Sequence, residues 1–332
     1  LETDVTDTSP MISVSVPGRV NLIGDHTDYT GGLVLPMPLD QFTTITGTTT
    51  DEPTWRLRSA DEDLSVTITL PVIDPSVIEP RWGRYVAGVL SELHALGHPV
   101  SGFRGTVTTT LPIGAGLSSS AALEIAVARI ALSDTSHNLS ETDLALLCQR
   151  AEHIASGVPC GIMDQLCIAS GKPGSATLID CHALSVTHIV IPEDLEVIVQ
   201  FISQRTLLGS EYADRVADCR EIEMLIGPLR LATEDDLGQI NNPRLHRRAR
   251  HVISENQRVR DFAQAIIAMD YVAAGELMQQ SHWSLARDYE TSNEIMDQAV
   301  QQLLTDPTVL GARITGGGFG GCIVGLRRRK DS

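Results

Sequence analysis

Apolar and polar residues alternate in several short stretches early in the chain. Leu64-Ser-Val-Thr-Ile-Thr-Leu70 alternates strictly, and Ile12 to Val16 does the same. Phe103, Val107 and Leu111 share one face, and Phe42 to Thr49 is Thr-rich and extended. A period of two is that of a half-buried strand. Elsewhere the spacing is helical. Trp82, Val86, Val89, Leu90, Leu93 and Leu96 form one stripe, with Gly97 placed to cap its end. Leu144, Leu147, Cys148, Ala151 and Ile154 mark a helix over 140–156 that Ser140 and Asp143 open as a capping box. A third helix follows Ser118-Ser119-Ser120 in AALEIAVARIAL, which is rich in helix formers. Pro17-Gly18 is predicted to turn the first strand, and the Gly- and Pro-containing stretch 157–173 cannot be a long regular element. Strands are predicted over 176–191 and 196–202. The pattern is helical from Gly209 to Leu304, with Thr291 to Glu294 as a capping box. Strand-like Ala312 to Ile314, the run Gly316-Gly-Gly-Phe-Gly-Gly321 and apolar Cys322 to Leu326 close the chain.

Strands come first and helices later, which predicts an α+β protein of two domains rather than one doubly wound sheet. The division falls between 1–185 and 186–332. A chain of 332 residues is long enough for two cores, and 42% hydrophobic with 20% charged residues is a globular composition. The net charge of −17 argues against nucleic acid or an anionic membrane surface as partner. The basic run Arg327 to Lys330 reads as a solvated tail. Six cysteines without a C-x-x-C pair read as free, mostly buried thiols of a reducing compartment. No apolar run reaches ~18 residues, and the acidic, polar N-terminal stretch is not a signal peptide but a frayed lead-in. These features predict a cytoplasmic protein.

The candidate chemistry centres on Leu111 to Leu123, LPIGAGLSSSAAL. It reads as strand, Gly-rich loop and hydroxyl-rich helix start, where unpaired amides and the helix dipole favour an anion. An ordinary Ser cap after a Gly turn is the plainer alternative. It is not a Walker A loop, since the Gly171-Lys172 pair is followed by Pro173. Gly316, Gly318 and Gly321 match G-x-G-x-x-G, but too little chain follows for a dinucleotide-binding unit. A tight glycine turn remains, whose backbone can approach a ligand closely. Arg19 to Tyr29 gathers Asn21, Asp25, His26, Asp28 and Tyr29. This set suits a polyhydroxylated ligand better than a metal, with a solvated turn as the alternative. Asp164 is one acid in apolar surroundings, a base candidate if an Arg lies near and a structural cap otherwise.

Three segments together, PGRVNLIGDHTDYTGGLVLP, LPIGAGLSSSAAL and ITGGGFGGC, resemble the three motifs of the GHMP kinase superfamily, the first in its galactokinase form. RWGRYVAGV, AEHIASGVPCGIMDQ, SEYADRVADCREIE, RRARHVISE and SHWSLARDYETSNEIMD extend the resemblance over 17–326. It implies a two-domain GHMP kinase fold. The N-terminal half would be like domain 2 of ribosomal protein S5 and the C-terminal half ferredoxin-like, with ATP and sugar in the cleft between. It implies phosphoryl transfer from ATP, with Mg2+, to the anomeric hydroxyl of galactose, by a monomer. Asp164 and Arg19 then stand at the catalytic positions. Asp25, His26, Asp28, Gly161 and Tyr212 stand at sugar contacts. Trp82, Gly114, Gly116, Ser118, Ser119 and Ser120 stand at ATP contacts, and Ser120 and Glu152 at Mg2+ ligands. The usual Gly-Glu-His of the galactokinase signature is here Gly24-Asp25-His26, at the position that faces the sugar's C6 hydroxyl in the family. A related sugar 1-kinase, for N-acetylgalactosamine or L-arabinose, is the alternative. A catalytically silent galactose sensor would lack part of the Ser-Ala run, which is unbroken here from Ser118 to Ala122.

Overall fold

The computed structural model describes residues 10–61, 64–112, 114–133, 138–204 and 211–329. Most of the expected lead-in and Lys330 of the basic tail lie outside them. The early alternating stretches form one five-stranded sheet from β1 (Ile12–Asn21), β3 (Pro36–Thr50), β6 (Gly102–Thr109), β4 (Thr54–Ser59) and β5 (Leu64–Thr69), in that order. Strand β4 runs parallel to β6, while β3 with β6 and β4 with β5 are antiparallel. Pro17-Gly18 does not turn β1, which continues to Asn21. As the edge strand, β1 can carry a residue without an N–H. A short strand, β2 (Leu33–Val34), precedes β3 and pairs with β7 (Ser175–Asp180), which pairs in turn with β8 (Ser185–Val190). The third sheet is β10 (Val309–Ile314), β11 (Gly321–Arg328) and β9 (Leu195–Ser203), all antiparallel.

The helices are α1 (Gly83–Ala95), α2 (Ser119–Leu132), α3 (Glu141–Ser156), α4 (Met163–Ser170), α5 (Glu211–Ile226), α6 (Pro243–Ile267), α7 (Tyr271–Ser284) and α8 (Glu294–Leu303). Gly97, at φ 78°, follows the end of α1 as expected. Ser140 caps α3, its hydroxyl oxygen accepting from the Asp143 amide. The cap of α8 is Asn293, which accepts from the Met296 amide, and not Thr291. Thr291 is drawn away because its amide and hydroxyl both reach the Leu285 carbonyl, closing the π-turn Leu285–Tyr289.

The chain forms two compact units, neither of them one continuous run. One comprises 1–17, 41–110 and 120–157, the other 18–40, 111–119 and 158–332. The division placed at 185/186 from sequence falls inside the second unit. In the first unit, Trp55, Leu57, Ile68 and Phe103 are buried on the sheet. There α1 and α3 pack so closely at Gly88 that a Cβ would lie 2.9 Å from the Ala151 carbonyl oxygen. The core of the second unit joins Ile222, Val252, Tyr289, Met296, Ile314 and Ile323.

Candidate active site

The reactive groups gathered in the second unit come from segments far apart in sequence. Arg19, near the end of β1, is buried. Its Nε donates to Asp164 Oδ1 at 2.7 Å, and its Nη2 lies 2.6 Å from the same oxygen. Its Nη1 donates to the Gly116 carbonyl at 2.8 Å, and its own amide donates to the Leu117 carbonyl. Burial opposes the guanidinium charge. Asp164 outweighs it through charge and hydrogen bonding, with help from Asp25 and Cys167, so the Arg19 pKa is raised.

Asp164 lies in the first turn of α4, where the dipole favours an anion. Its other oxygen, Oδ2, accepts from the Ser118 hydroxyl at 2.5 Å. Ser118 adopts φ 60° just before α2 begins, between the loop glycines Gly114 (φ 75°) and Gly116 (φ 79°) and the half-buried Ser119. Asp28 is the second carboxylate of this corner. Burial first, and then the charge of Asp164, pushes its pKa up to about 7, against a hydrogen bond from the Tyr29 amide. Gly161 backs it closely: a Cβ there would sit 2.1 Å from Asp28 Oδ2.

Beside the carboxylates stands an aromatic group. His26 Nδ1 and Tyr29 Oη are 2.9 Å apart, Tyr29 Oη and Tyr289 Oη 2.7 Å, and Tyr289 Oη and Cys219 Sγ 3.2 Å. The ring of Tyr212, on α5, lies 5.6 Å from His26 and 5.8 Å from Tyr29. Burial raises both Tyr29 and Tyr289, so they act as neutral phenols that both donate and accept. A wall of ring faces beside carboxylates suits a polyol.

Asp25 departs from the sequence expectation. It is 1% exposed, its Oδ2 pairs with Arg313 of β10 and its Oδ1 accepts from the Gly316 amide at 3.0 Å. Both oxygens thus have partners inside the protein, an internal tie that the sequence did not announce. Burial raises its pKa, and Arg313 opposes that rise. The rest of the loop is held by the same elements. Arg313 Nη1 donates to the Leu22 carbonyl, and Glu255 Oε1 accepts from the Gly24 amide. His251 Nε2 reaches the Asp25 carbonyl, and Asn256 Oδ1 accepts from the Leu33 amide. The glycine run 316–321 therefore contributes an amide to the loop as well as turning the chain.

Sequence reasoning did not single out Arg313, Glu255, His251 or Tyr289. An Arg in the otherwise apolar Val309–Leu326 segment was the available signal, since such a charge is buried only when paired. The expected Trp82, Ser120 and Glu152 lie in the first unit, Trp82 at the start of α1 and Glu152 on α3. There Ser120 and Glu124 are one turn apart on α2, and the charges of Glu124 and Glu152 both act on the buried Cys148.

Comparison with known proteins agrees with this arrangement. Residues 3–49 match the galactokinase galactose-binding signature, 84–172 the GHMP kinases N terminal domain and 262–332 the GHMP kinases C terminal profile. The galactokinase of Canis lupus familiaris is 42% identical, with 96% of this chain and 84% of that protein aligned. That of Thermococcus kodakarensis is 40% identical over 93% and 87%. The crystal structure of Lactococcus lactis galactokinase complexed with galactose superposes with a TM-score of 0.91 at 31% identity, covering 97% of this chain and 87% of that one. The Methanococcus jannaschii mevalonate kinase shares the fold, with a TM-score of 0.69 at 20% identity. With its motifs, its α+β fold and relatives aligned over 84–87% of their own length, the chain belongs to the galactokinase family of the GHMP kinases.

Proposed function

We propose that this protein transfers the γ-phosphoryl group of ATP to the anomeric hydroxyl of galactose, giving galactose 1-phosphate and ADP. One observation carries the reading: the loop that opens α2 also holds the Arg19–Asp164 pair, through the Gly116 and Leu117 carbonyls and the Ser118 hydroxyl. A phosphate-binding loop and an acid suited to a sugar hydroxyl are therefore one hydrogen-bonded assembly.

Phosphoryl transfer needs positioning and charge stabilisation more than covalent chemistry. Asp164 orients the 1-hydroxyl and takes its proton as the oxygen–phosphorus bond forms. Arg19 fixes the plane of that carboxylate and stabilises negative charge between donor and acceptor. Asp28, His26 and Tyr212 take the remaining hydroxyls, and Gly161 leaves room for Asp28. Gly114, Gly116, Ser119 and the first amides of α2 receive the phosphates, and Trp82 is assigned to adenine.

Mg2+ prefers one or two carboxylates together with substrate phosphates. Ser120 and Glu152, with Glu124 one turn from Ser120 on α2, would supply such hard oxygens. Held by these residues, Mg2+ would supply charge neutralisation for the triphosphate. Ser120→Ala is expected to raise the Mg2+ concentration needed for half-maximal rate; overlaid titrations would remove it from the set. The halves 1–185 and 186–332 are proposed as the S5-like and ferredoxin-like parts of the family's fold, a division by chain order distinct from the two compact units. We place the enzyme in the cytoplasm, where the five buried free thiols stay reduced, and take it to be a monomer.

The test is ADP release against a panel of galactose, N-acetylgalactosamine, L-arabinose and glucose, with phosphorus NMR of the product. Galactose should give the highest kcat/KM and a phosphate coupled to the anomeric proton. ADP release that galactose leaves at the sugar-free rate would refute the proposal.

A further inference from the structure

Ser118 belongs by resemblance to the ATP contacts, yet its hydroxyl points elsewhere. It donates to Asp164 Oδ2 at 2.5 Å, while Arg19 occupies Oδ1. Its backbone is at φ 60°, the left-handed region that a side chain other than Gly, Asn or Asp seldom adopts. Such a conformation persists only where its surroundings over-determine it. Here they do. The two residues before it give their carbonyls to Arg19, α2 begins directly after it, and the residue itself is 7% exposed.

We infer that Ser118 is a positioning residue for Asp164, coupling the placement of the phosphate loop to the orientation of the acid at the sugar hydroxyl. The inference rests on the proposed kinase activity. A carboxylate held at one oxygen alone can still rotate about its Cβ–Cγ bond, a broad torsion. A donor on the second oxygen stops that rotation and leaves the remaining lone pairs of Oδ2 aimed at one place. Because the donor sits on the loop that receives the phosphates, a shift of that loop is felt at Asp164 without any contact between Asp164 and nucleotide. This differs from a phosphate contact in a measurable way. A phosphate contact is made in the ground state and acts on KM for ATP. A fixed Asp164 matters in the transition state and acts on kcat.

Two substitutions separate hydroxyl from backbone. Ser118→Gly removes the hydroxyl and accepts φ 60° without steric strain. Ser118→Thr keeps the hydroxyl but places a β-branched residue in the left-handed region. The measurement is kcat, KM for galactose, KM for ATP and Tm in the parent and both variants. Ser118→Gly should keep the parent Tm and both KM values within about threefold. It should lose about tenfold to hundredfold in kcat, the size of one lost hydrogen bond to a charged group. Ser118→Thr should lower Tm while keeping kcat within about threefold for the folded enzyme. A Ser118→Gly enzyme with parental kcat, or one whose loss lies in KM for ATP alone, overturns the inference. So does a Ser118→Thr enzyme as slow as the Gly variant. A parent that releases no ADP with galactose instead fails the functional reading, and the inference with it.

Discussion

Two Asp–Arg pairs of the second unit each take one member from the segment 19–25, Arg19 in one and Asp25 in the other, and they differ in what surrounds them. Arg19 and Asp164 are joined at 2.6 Å, with side chains 4% and 30% exposed. Arg313 and Asp25 are joined as directly, with side chains 0% and 1% exposed. The chemistry of the pairs is the same; their access differs. Asp164 has an open edge, and its partners Arg19 and Ser118 hold it from behind. Asp25 has spent both oxygens on Arg313 and the Gly316 amide, and its loop is pinned further by Glu255, His251 and Asn256. The first pair leaves its acid partly exposed, and the second ties the segment Leu22 to Asp25 to β10 and to the Gly316 amide.

The largest effect that should separate the pairs is on stability. Arg313→Leu leaves the Asp25 carboxylate buried without its ion partner, which costs about 3–5 kcal/mol. The urea midpoint should fall accordingly, and an unchanged midpoint would show that the pair does not hold the loop. Next is Arg19→Lys. An ammonium is a point charge and cannot reach Asp164 and the Gly116 carbonyl as a planar fork does. We expect kcat to fall about 10^2-fold with little change in Tm; retention of more than half of kcat would show that charge alone suffices. Gly161→Ala pushes a Cβ against Asp28. It should raise KM for galactose about tenfold and leave KM for ATP alone; equal rises in both would place Asp28 outside the sugar site.

The smallest effect is on pH dependence, and its sign differs between the regions. Burial lowers His251 and His282 to about 4, below the ordinary 6.5. The unfolded chain therefore takes up protons that the fold refuses, and stability falls as pH drops from 6.5 toward 4. Glu255, lowered to about 2 against burial by Arg258 and His251, adds a loss below pH 4.5. Asp28 runs the other way: raised from 3.8 to about 7, its contribution falls as pH rises through that window. Asp28→Asn should therefore make Tm climb more steeply between pH 4 and 7, and should not lower Tm at pH 8. A parallel pair of curves would mean that Asp28 does not titrate there.

Much of this was legible in the sequence, because local patterns report local structure. The strict alternation of 64–70 became β5, the stripe from Val86 to Leu93 became the buried face of α1, and Ser140 became the cap of α3. The site motifs were legible as a set of residue types, since Arg19, Asp28, Gly161 and Asp164 do meet. What could not be read were partners set by tertiary packing. Nothing near Asp25 in sequence announces Arg313, 288 positions away. Nothing near Ser118 announces that its hydroxyl turns to an acid on α4. Pro17-Gly18 misled because a turn signal is also tolerated at a sheet edge. Thr291 misled because a distant carbonyl, and not the next helix, took its donors.

The most direct test of the division between the two pairs is to measure kcat and Tm side by side in Asp164→Asn and Asp25→Asn. Both changes are isosteric, and both remove one carboxylate charge from an arginine. Asp164→Asn should lose at least ~10^2 in kcat, the scale of an acid–base or electrostatic contribution, with Tm within a few degrees of the parent. Asp25→Asn should lower Tm clearly while kcat, measured where the protein is folded, stays within about fivefold. An Asp164→Asn enzyme with near-parental kcat, or an Asp25→Asn enzyme that keeps its Tm and loses kcat, would contradict the assignment of chemistry to one pair and of support to the other.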